Sequence, residues 1–294
     1  MSDAPDPESL LERARAGYRG SLARLLSLVE RGGPDARAVG RRTHPLGGAA
    51  YTVGITGAPG AGKSTLTNAL VRHIRAGAER VAVLAIDPSS PFTGGAILGD
   101  RVRMQDHTGD ADVYIRSMAT RGHLGGLSLA TPEAIRALDA TGWPWIVVET
   151  VGVGQVEVEV AGTADTRVVV VNPGWGDAVQ ANKAGLLEIA DIFVINKADR
   201  PGVENTEKAL KSMLDLAHPT ERVFRHHGST MRTAAPAQDS SSKLMRGGKS
   251  KRQPKEYSHE RFVLLARSYL SSCLTSRCKK CIGRVFARPA ATLR

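Results

Sequence analysis

The stretch Tyr51 to Thr65, YTVGITGAPGAGKST, constrains this chain more than any other. An apolar run feeds a glycine-rich loop that ends in Gly-Lys-Ser-Thr, and a helical pattern over Leu66–Ile74 follows. That order is a phosphate cradle. Gly57, Gly60 and Gly62 let the backbone of Ala58, Pro59 and Ala61 turn so that successive N–H groups face an anion. The helix beginning near Thr65 then adds its positive end at the same place. In this spacing, G-x-x-x-x-G-K-[ST], Lys63 is expected to reach the β- and γ-phosphates of a nucleotide, with the Ser64 hydroxyl on Mg²⁺.

A chain of 294 residues accommodates one nucleotide domain with small additions. We expect residues 1–45 to be a helical N-terminal extension, 46–221 the nucleotide domain and 222–294 a basic tail. The net charge of +11 is uneven, because the tail holds 17 Lys and Arg against 3 Asp and Glu. The basic pI of 9.9 therefore describes the tail. Without aromatic interleaving or a known module, that charge does not read as a nucleic-acid site. No apolar run is long enough to span a bilayer, and the acidic N-terminus has no secretory pattern, so we expect a cytoplasmic protein without membrane association. Cys273, Cys278 and Cys281 all lie in the tail and, with only scattered histidines such as His259, fall short of a four-ligand zinc site.

Leucines and other apolar residues recur at helical spacing over Pro7–Glu30, which predicts two short helices packing as a cap. Arg31–Ala50, rich in Gly, Arg and Pro, reads as a connecting loop. Continuous apolar runs at Arg80–Ile86, Trp145–Val148, Arg167–Val171 and Asp191–Ile195 read as buried parallel strands, with a shorter one at Asp112–Ile115. A helix is expected over Thr131–Thr141, opened by Thr-Pro-Glu. The fold class is α/β, a three-layer phosphate-loop domain with a mostly parallel sheet.

The ends of those strands carry the candidate chemistry. Asp87 follows the second strand, where it suits either Mg²⁺ or the capping of the next turn. The glycine-bearing segment after it contains Asp100 and suits a nucleotide-sensitive switch or a surface loop. Arg121 and His123 follow as candidates for phosphate contact and catalysis, although a histidine in a loop is more often a surface hydrogen-bonding residue. Glu149 and Gly152 stand where such proteins place a Mg²⁺-linked carboxylate and a glycine N–H on the γ-phosphate. The extra methylene of Glu149 also suits orientation of the attacking water. Trp175 reads as packing and Asp177 as a helix cap. After the strand at Asp191–Ile195 comes Asn196-Lys197-Ala198-Asp199. Asp199 can accept from guanine N1–H and N2–H₂, a donor pair that adenine lacks, while Lys197 lies along the base and Asn196 braces the loop. The expected nucleotide is GTP, because a site built on such bonds rejects a base that leaves them unmade.

Together with the phosphate loop, the segments IDPSSPFTGGAILGDRVRM, MATRGHLGGLS, ETVGVGQVE and NPGWGDAVQANKAGLLEIADIFVINKADRPG resemble the methylmalonyl-CoA mutase-associated GTPases. These proteins have also been labelled lysine/arginine/ornithine transport ATPases. The resemblance runs from Leu10 to Leu216. It implies a GTP hydrolase that chaperones an adenosylcobalamin-dependent acyl-CoA mutase, gating cofactor loading and protecting the radical enzyme, and that is a homodimer through a C-terminal arm. It also implies that Lys63, Ser64, Asp87, Asp100 and Glu149 form the Mg²⁺ and catalytic set, with Asn196, Lys197 and Asp199 as the guanine set. Two other readings are a GTP-dependent metal-insertion protein, which would show a His/Cys cluster in the main body, and a transport-linked ATPase or kinase, which would need to select ATP. Beyond Leu216 the chain departs from the family. Its Ser-, Arg- and Lys-rich composition predicts disorder, and the departure reads as a shifted reading frame or an unusual C-terminus. Set against the family's pattern, a real tail of this kind implies a missing closing strand, a guanine site short of one wall and dimerisation through the arm placed in doubt.

Overall fold

A computed structural model of the chain describes residues 6–87, 104–107, 109–119, 126–150, 163–174, 190–216, 223–226, 229–232 and 262–265. Six helices and nine strands are described. The helices are α1 (Pro7–Arg15), α2 (Arg19–Arg31), α3 (Gly33–Thr43), α4 (Lys63–Ala76), α5 (Gly126–Ala140) and α6 (Val203–Leu216). The strands are β1 (Tyr51–Gly57), β2 (Val81–Asp87), β3 (Val113–Ala119), β4 (Trp145–Thr150), β5 (Thr166–Val171), β6 (Ile192–Ile195), β7 (Val223–His226), β8 (Ser229–Arg232) and β9 (Phe262–Leu265). Seven strands form one parallel sheet in the order β3-β2-β4-β1-β5-β6-β9.

The strands are apolar throughout because both faces of this sheet are covered. Ala82, Leu84, Ile86, Ile146 and Val148 face a core completed by Leu10, Leu22, Leu25 and Leu26 of α1 and α2 and by Ala134 and Leu138 of α5. Their alternating neighbours Val81, Val83 and Val147 join Val53 and Ile55 in a second core with Val71 and Ile74 of α4. Helices thus lie on both faces, giving three layers, and the N-terminal helices cap one of them. Among the described residues no helix is long and apolar enough to cross a membrane.

Three expectations are corrected. The loop expected over Arg31–Ala50 holds α3. Gly32, with φ +75°, reverses the chain after α2, Pro34 and Asp35 suit the first turn, and Val39 and Thr43, one turn apart, are buried. The Gly and Arg content hid a helix whose anchors are only two residues. The helix expected from Thr131 starts at Gly126 and carries Pro132 inside it, so Thr-Pro-Glu is not its first turn. After Leu216, β7 and β8 pair as an antiparallel hairpin and β9 pairs parallel with β6, so the sheet has a closing strand. Four apolar residues, FVLL, suffice for a strand but not for a visible period amid Ser, Lys and Arg.

The N-terminal ends of the strands are tied by side chains. Asp165 accepts from the Thr52 N–H and from its hydroxyl at 2.8 Å each, which sets β1 against β5. Arg167 grips Asp191 through Nε and Nη2, both at 2.9 Å, and donates its own N–H to the same carboxylate, setting β5 against β6. Asp139 of α5 accepts from the N–H groups of Gly48, Ala49 and Ala50 on the approach to β1. Arg75 pairs with Asp110 and Asp112 before β3 and holds the Asp110 carboxyl below the usual carboxylate range. The Arg167–Asp191 pair is largely buried, so removing one partner costs more than a surface pair would. Arg167→Ala should lower the unfolding free energy by about 3 kcal/mol in urea titration, whereas Arg42→Ala, which breaks a more exposed pair with Glu8, should change it far less.

Candidate nucleotide site

At the opposite, C-terminal end of the sheet, β1, β2, β4, β5 and β6 deliver their last residues side by side. β1 leaves the sheet at Gly57, which stands opposite Val170 of β5. A Cβ added there would lie 2.0 Å from the Val170 carbonyl oxygen, and φ is +140°, so only glycine fits. The loop then turns through Ala58, Pro59, Gly60 and Ala61, with Ala58 and Ala61 buried and Pro59 and Gly60 exposed. Gly62, left-handed at φ +91°, caps α4, and a Cβ on it would lie 2.2 Å from Asn196 Nδ2.

Lys63 and Ser64 open α4 and are both buried, while Thr65 beside them is exposed. A buried ammonium needs acceptors. Lys63 Nζ donates to the carbonyls of Gly57 at 2.8 Å and Ala58 at 3.0 Å, which closes the loop around its side chain. Ser64 Oγ donates to Glu149 Oε1 at 2.6 Å. Glu149 is 0% exposed and lies inside β4 rather than after it, flanked by Ile55 of β1 and Ala85 of β2. One residue on, Thr150 donates to Thr56 Oγ1 at 3.0 Å and ties β4 to β1 just before the loop.

Beyond β6, the Asn196 N–H continues the pairing to the Val171 carbonyl, and Asn196 Nδ2 donates to the Ala61 carbonyl at 2.8 Å. Lys197 has φ +57°, a conformation that costs a non-glycine residue about 1 kcal/mol. Its Nζ donates to the Gly60 carbonyl at 2.7 Å. These two bonds join the Asn196–Asp199 segment to the phosphate loop, and Asp199 stands exposed in the turn that follows.

Of the residues singled out from the sequence, the loop, Lys63, Ser64, Glu149, Asn196 and Lys197 converge here, and Asp87 closes β2 at the same edge. Asp100, Arg121, His123, Gly152, Trp175, Asp177, His259 and the three cysteines lie outside the described residues. The sequence assigns no role to Thr56 and Thr150, although both stand within its motifs, nor to Asn68 and His107, a buried hydrogen-bonded pair. Asn68 carried a signal, being a polar residue one turn from Ser64 on a helix face that is otherwise buried. The Ser64 hydroxyl and Glu149 carboxylate offer hard oxygen donors 2.6 Å apart in a buried setting, a donor set that fits Mg²⁺. Gly57→Ala should cost more than about 2 kcal/mol of stability, because the backbone of β5 blocks the new methyl. Gly60→Ala, left-handed but with nothing within 4 Å, should cost about 1 kcal/mol; urea unfolding of the two variants checks the order.

The model of the family described as "Methylmalonyl Co-A mutase-associated GTPase MeaB" matches residues 22–247. A "Putative GTPase" of Pyrococcus abyssi is 59% identical over 209 residues, covering 71% of this chain and 64% of the relative. Another of the same description, from Pyrococcus horikoshii, is 56% identical over 209 residues, covering 71% and 66%. The chain thus spans just under two thirds of the length of these relatives. The solved crystal structure of an "LAO/AO transport system kinase" is similar with a TM-score of 0.55 at 30% identity, over 76% of this chain and 66% of that one. With a family match over most of its length and a phosphate loop, buried Ser-Glu pair and Asn-Lys-x-Asp turn gathered at one sheet edge, this chain belongs to the Methylmalonyl Co-A mutase-associated GTPase MeaB family.

Proposed function

We propose that this chain binds GTP with Mg²⁺ at the C-terminal edge of its sheet, hydrolyses it to GDP and phosphate, and uses that cycle to chaperone an adenosylcobalamin-dependent acyl-CoA mutase. The observation that carries the nucleotide reading is the pair of bonds from Asn196 and Lys197 to the carbonyls of Ala61 and Gly60. A base-selecting turn and a phosphate-binding loop fixed to each other span the two ends of one nucleotide. In this reading the phosphates lie on the N–H groups of residues 60–64 at the positive end of α4. Lys63 exchanges its carbonyl acceptors for β- and γ-phosphate oxygens, a favourable trade of neutral for charged partners. Asp199 accepts from the guanine edge. Ser64, with Asp87, Asp100 and Glu149, supplies the oxygens for Mg²⁺, and bound Mg²⁺ would offset charge on the phosphate oxygens. Glu149 lies within reach of Ser64 and is a positioning group for that centre, and water attacks in line without a covalent intermediate.

The mutase partner is supported by the family's own description. A second reading follows the similarity to the solved transport system kinase: the same phosphate site would pass the γ-phosphate to an acceptor other than water.

Calorimetry with GTP and ATP on the full chain should show guanine preferred by at least about 10³-fold. Lys63→Ala should weaken GTP binding by at least about 100-fold, and Asp199→Ala should bring the two nucleotides within about tenfold of each other. Equal binding of ATP and GTP by the wild-type chain contradicts the guanine reading, and release of inorganic phosphate from GTP alone separates hydrolysis from phosphotransfer. Co-elution with a methylmalonyl-CoA-type mutase in the presence of a non-hydrolysable GTP analogue is the expected result for the chaperone reading, and separate elution contradicts it.

A further inference from the structure

One turn along α4 from Ser64, a buried histidine meets the helix that carries Lys63 and Ser64. His107 ends the short turn Gln105–His107 just before β3, and it is 8% exposed. Its Nε2 lies 2.5 Å from Oδ1 of Asn68, which is equally buried. Asn68 sits one helical turn after Ser64, on the same inward face of α4. Its Nδ2 reaches Asp106 at 3.5 Å, Arg72 reaches the same carboxylate at 3.4 Å, and Met104 anchors the start of the turn in the α4 core. This turn is where the chain that leaves β2 at Asp87 and carries Asp100 rejoins α4. No role above uses the pair, and a polar bond this buried costs desolvation that a methionine–leucine contact would avoid.

We propose that the His107–Asn68 hydrogen bond positions the nucleotide site, tying the chain downstream of Asp87 and Asp100 to the helix that presents Lys63 and Ser64. The Asn68 carbonyl oxygen accepts, so Nε2 carries the proton. A second proton would put a cation in a buried place beside Arg72. Asp106 and Asp110 oppose that cost in part, but burial dominates and pushes the ring below the ordinary histidine value of 6.5. His107 is thus a positioning residue, not a catalytic one. The proposal rests on the GTP hydrolysis reading.

The linkage has a definite sign. Because the folded ring resists protonation, the unfolded chain takes up a proton first as pH falls through about 6.5, and stability drops below that point. The melting temperature of the wild-type chain should therefore fall between pH 7.5 and 5.5. In His107→Gln, an uncharged donor of similar reach, the part of that fall due to the ring should disappear. In Asn68→Asp the new carboxylate favours the charged ring, so the fall should shrink or reverse. GTP turnover is the decisive arm. At pH 7.5 His107→Ala should lower kcat by about tenfold through misplacement of the site, and His107→Gln should restore it to within about threefold. The acid limb of the wild-type kcat profile should be absent from His107→Gln. Turnover in His107→Ala equal to wild type, or an acid limb unchanged in His107→Gln, overturns the proposal while leaving the GTP reading intact. Absence of GTP turnover in the wild-type chain overturns both.

Discussion

The approach of Gly57 to the carbonyl of Val170 is the constraint on which the rest of the site depends. There the middle strand of a parallel sheet leaves its neighbour at a separation that admits no side chain. The chain can only turn out over the sheet edge, and the turn ends at a left-handed glycine that starts α4 with Lys63 and Ser64 already buried. Any slip of β1 against β5 would move Gly57 out of register and close that exit. The side-chain tie at the far end, Asp165 on Thr52, opposes such a slip, and Arg167 on Asp191 holds β5 in turn against β6. One end of the sheet holds register by buried polar bonds, and the other end uses that rigidity to present loops.

The functional end carries groups that are unfavourable in a protein interior on their own. An ammonium at Lys63, a carboxylate at Glu149 and a left-handed lysine at Lys197 each need a partner to persist. Each has one within the site, and for Lys63 those partners are loop carbonyls, weaker than the charged phosphate oxygens a nucleotide would bring. Nucleotide binding then replaces adequate partners with better ones. A site arranged in this way keeps its geometry without ligand and still gains from binding it.

Much of this was legible in the sequence for a local reason. The glycines of the phosphate loop, the apolar strands before Glu149 and Asn196, and the Asn-Lys-x-Asp turn are each specified by residues a few positions apart. What escaped was set by distant contacts. α3 is fixed by Val39 and Thr43 against the cap, and α5 runs through Pro132 because its face is buried on the sheet. β9 is recognisable only once β6 stands beside it. The bond between Asn68 and His107 joins residues 39 positions apart, and neither has an unusual neighbourhood in the sequence. The brace between Lys197 and Gly60 is likewise invisible without the fold, although both residues belonged to recognised motifs.

The central claim is that the base-selecting turn and the phosphate loop are one mechanical unit. It is tested most directly by measuring the affinity of inorganic pyrophosphate with Mg²⁺, a ligand without a base, for the wild-type chain and for Asn196→Ala. If Asn196 supports the phosphate loop through the Ala61 carbonyl, the variant should bind pyrophosphate about tenfold more weakly, since a lost bond of this kind is worth about 1–1.5 kcal/mol. Unchanged pyrophosphate affinity in Asn196→Ala would mean that the two loops act separately, and would contradict the account.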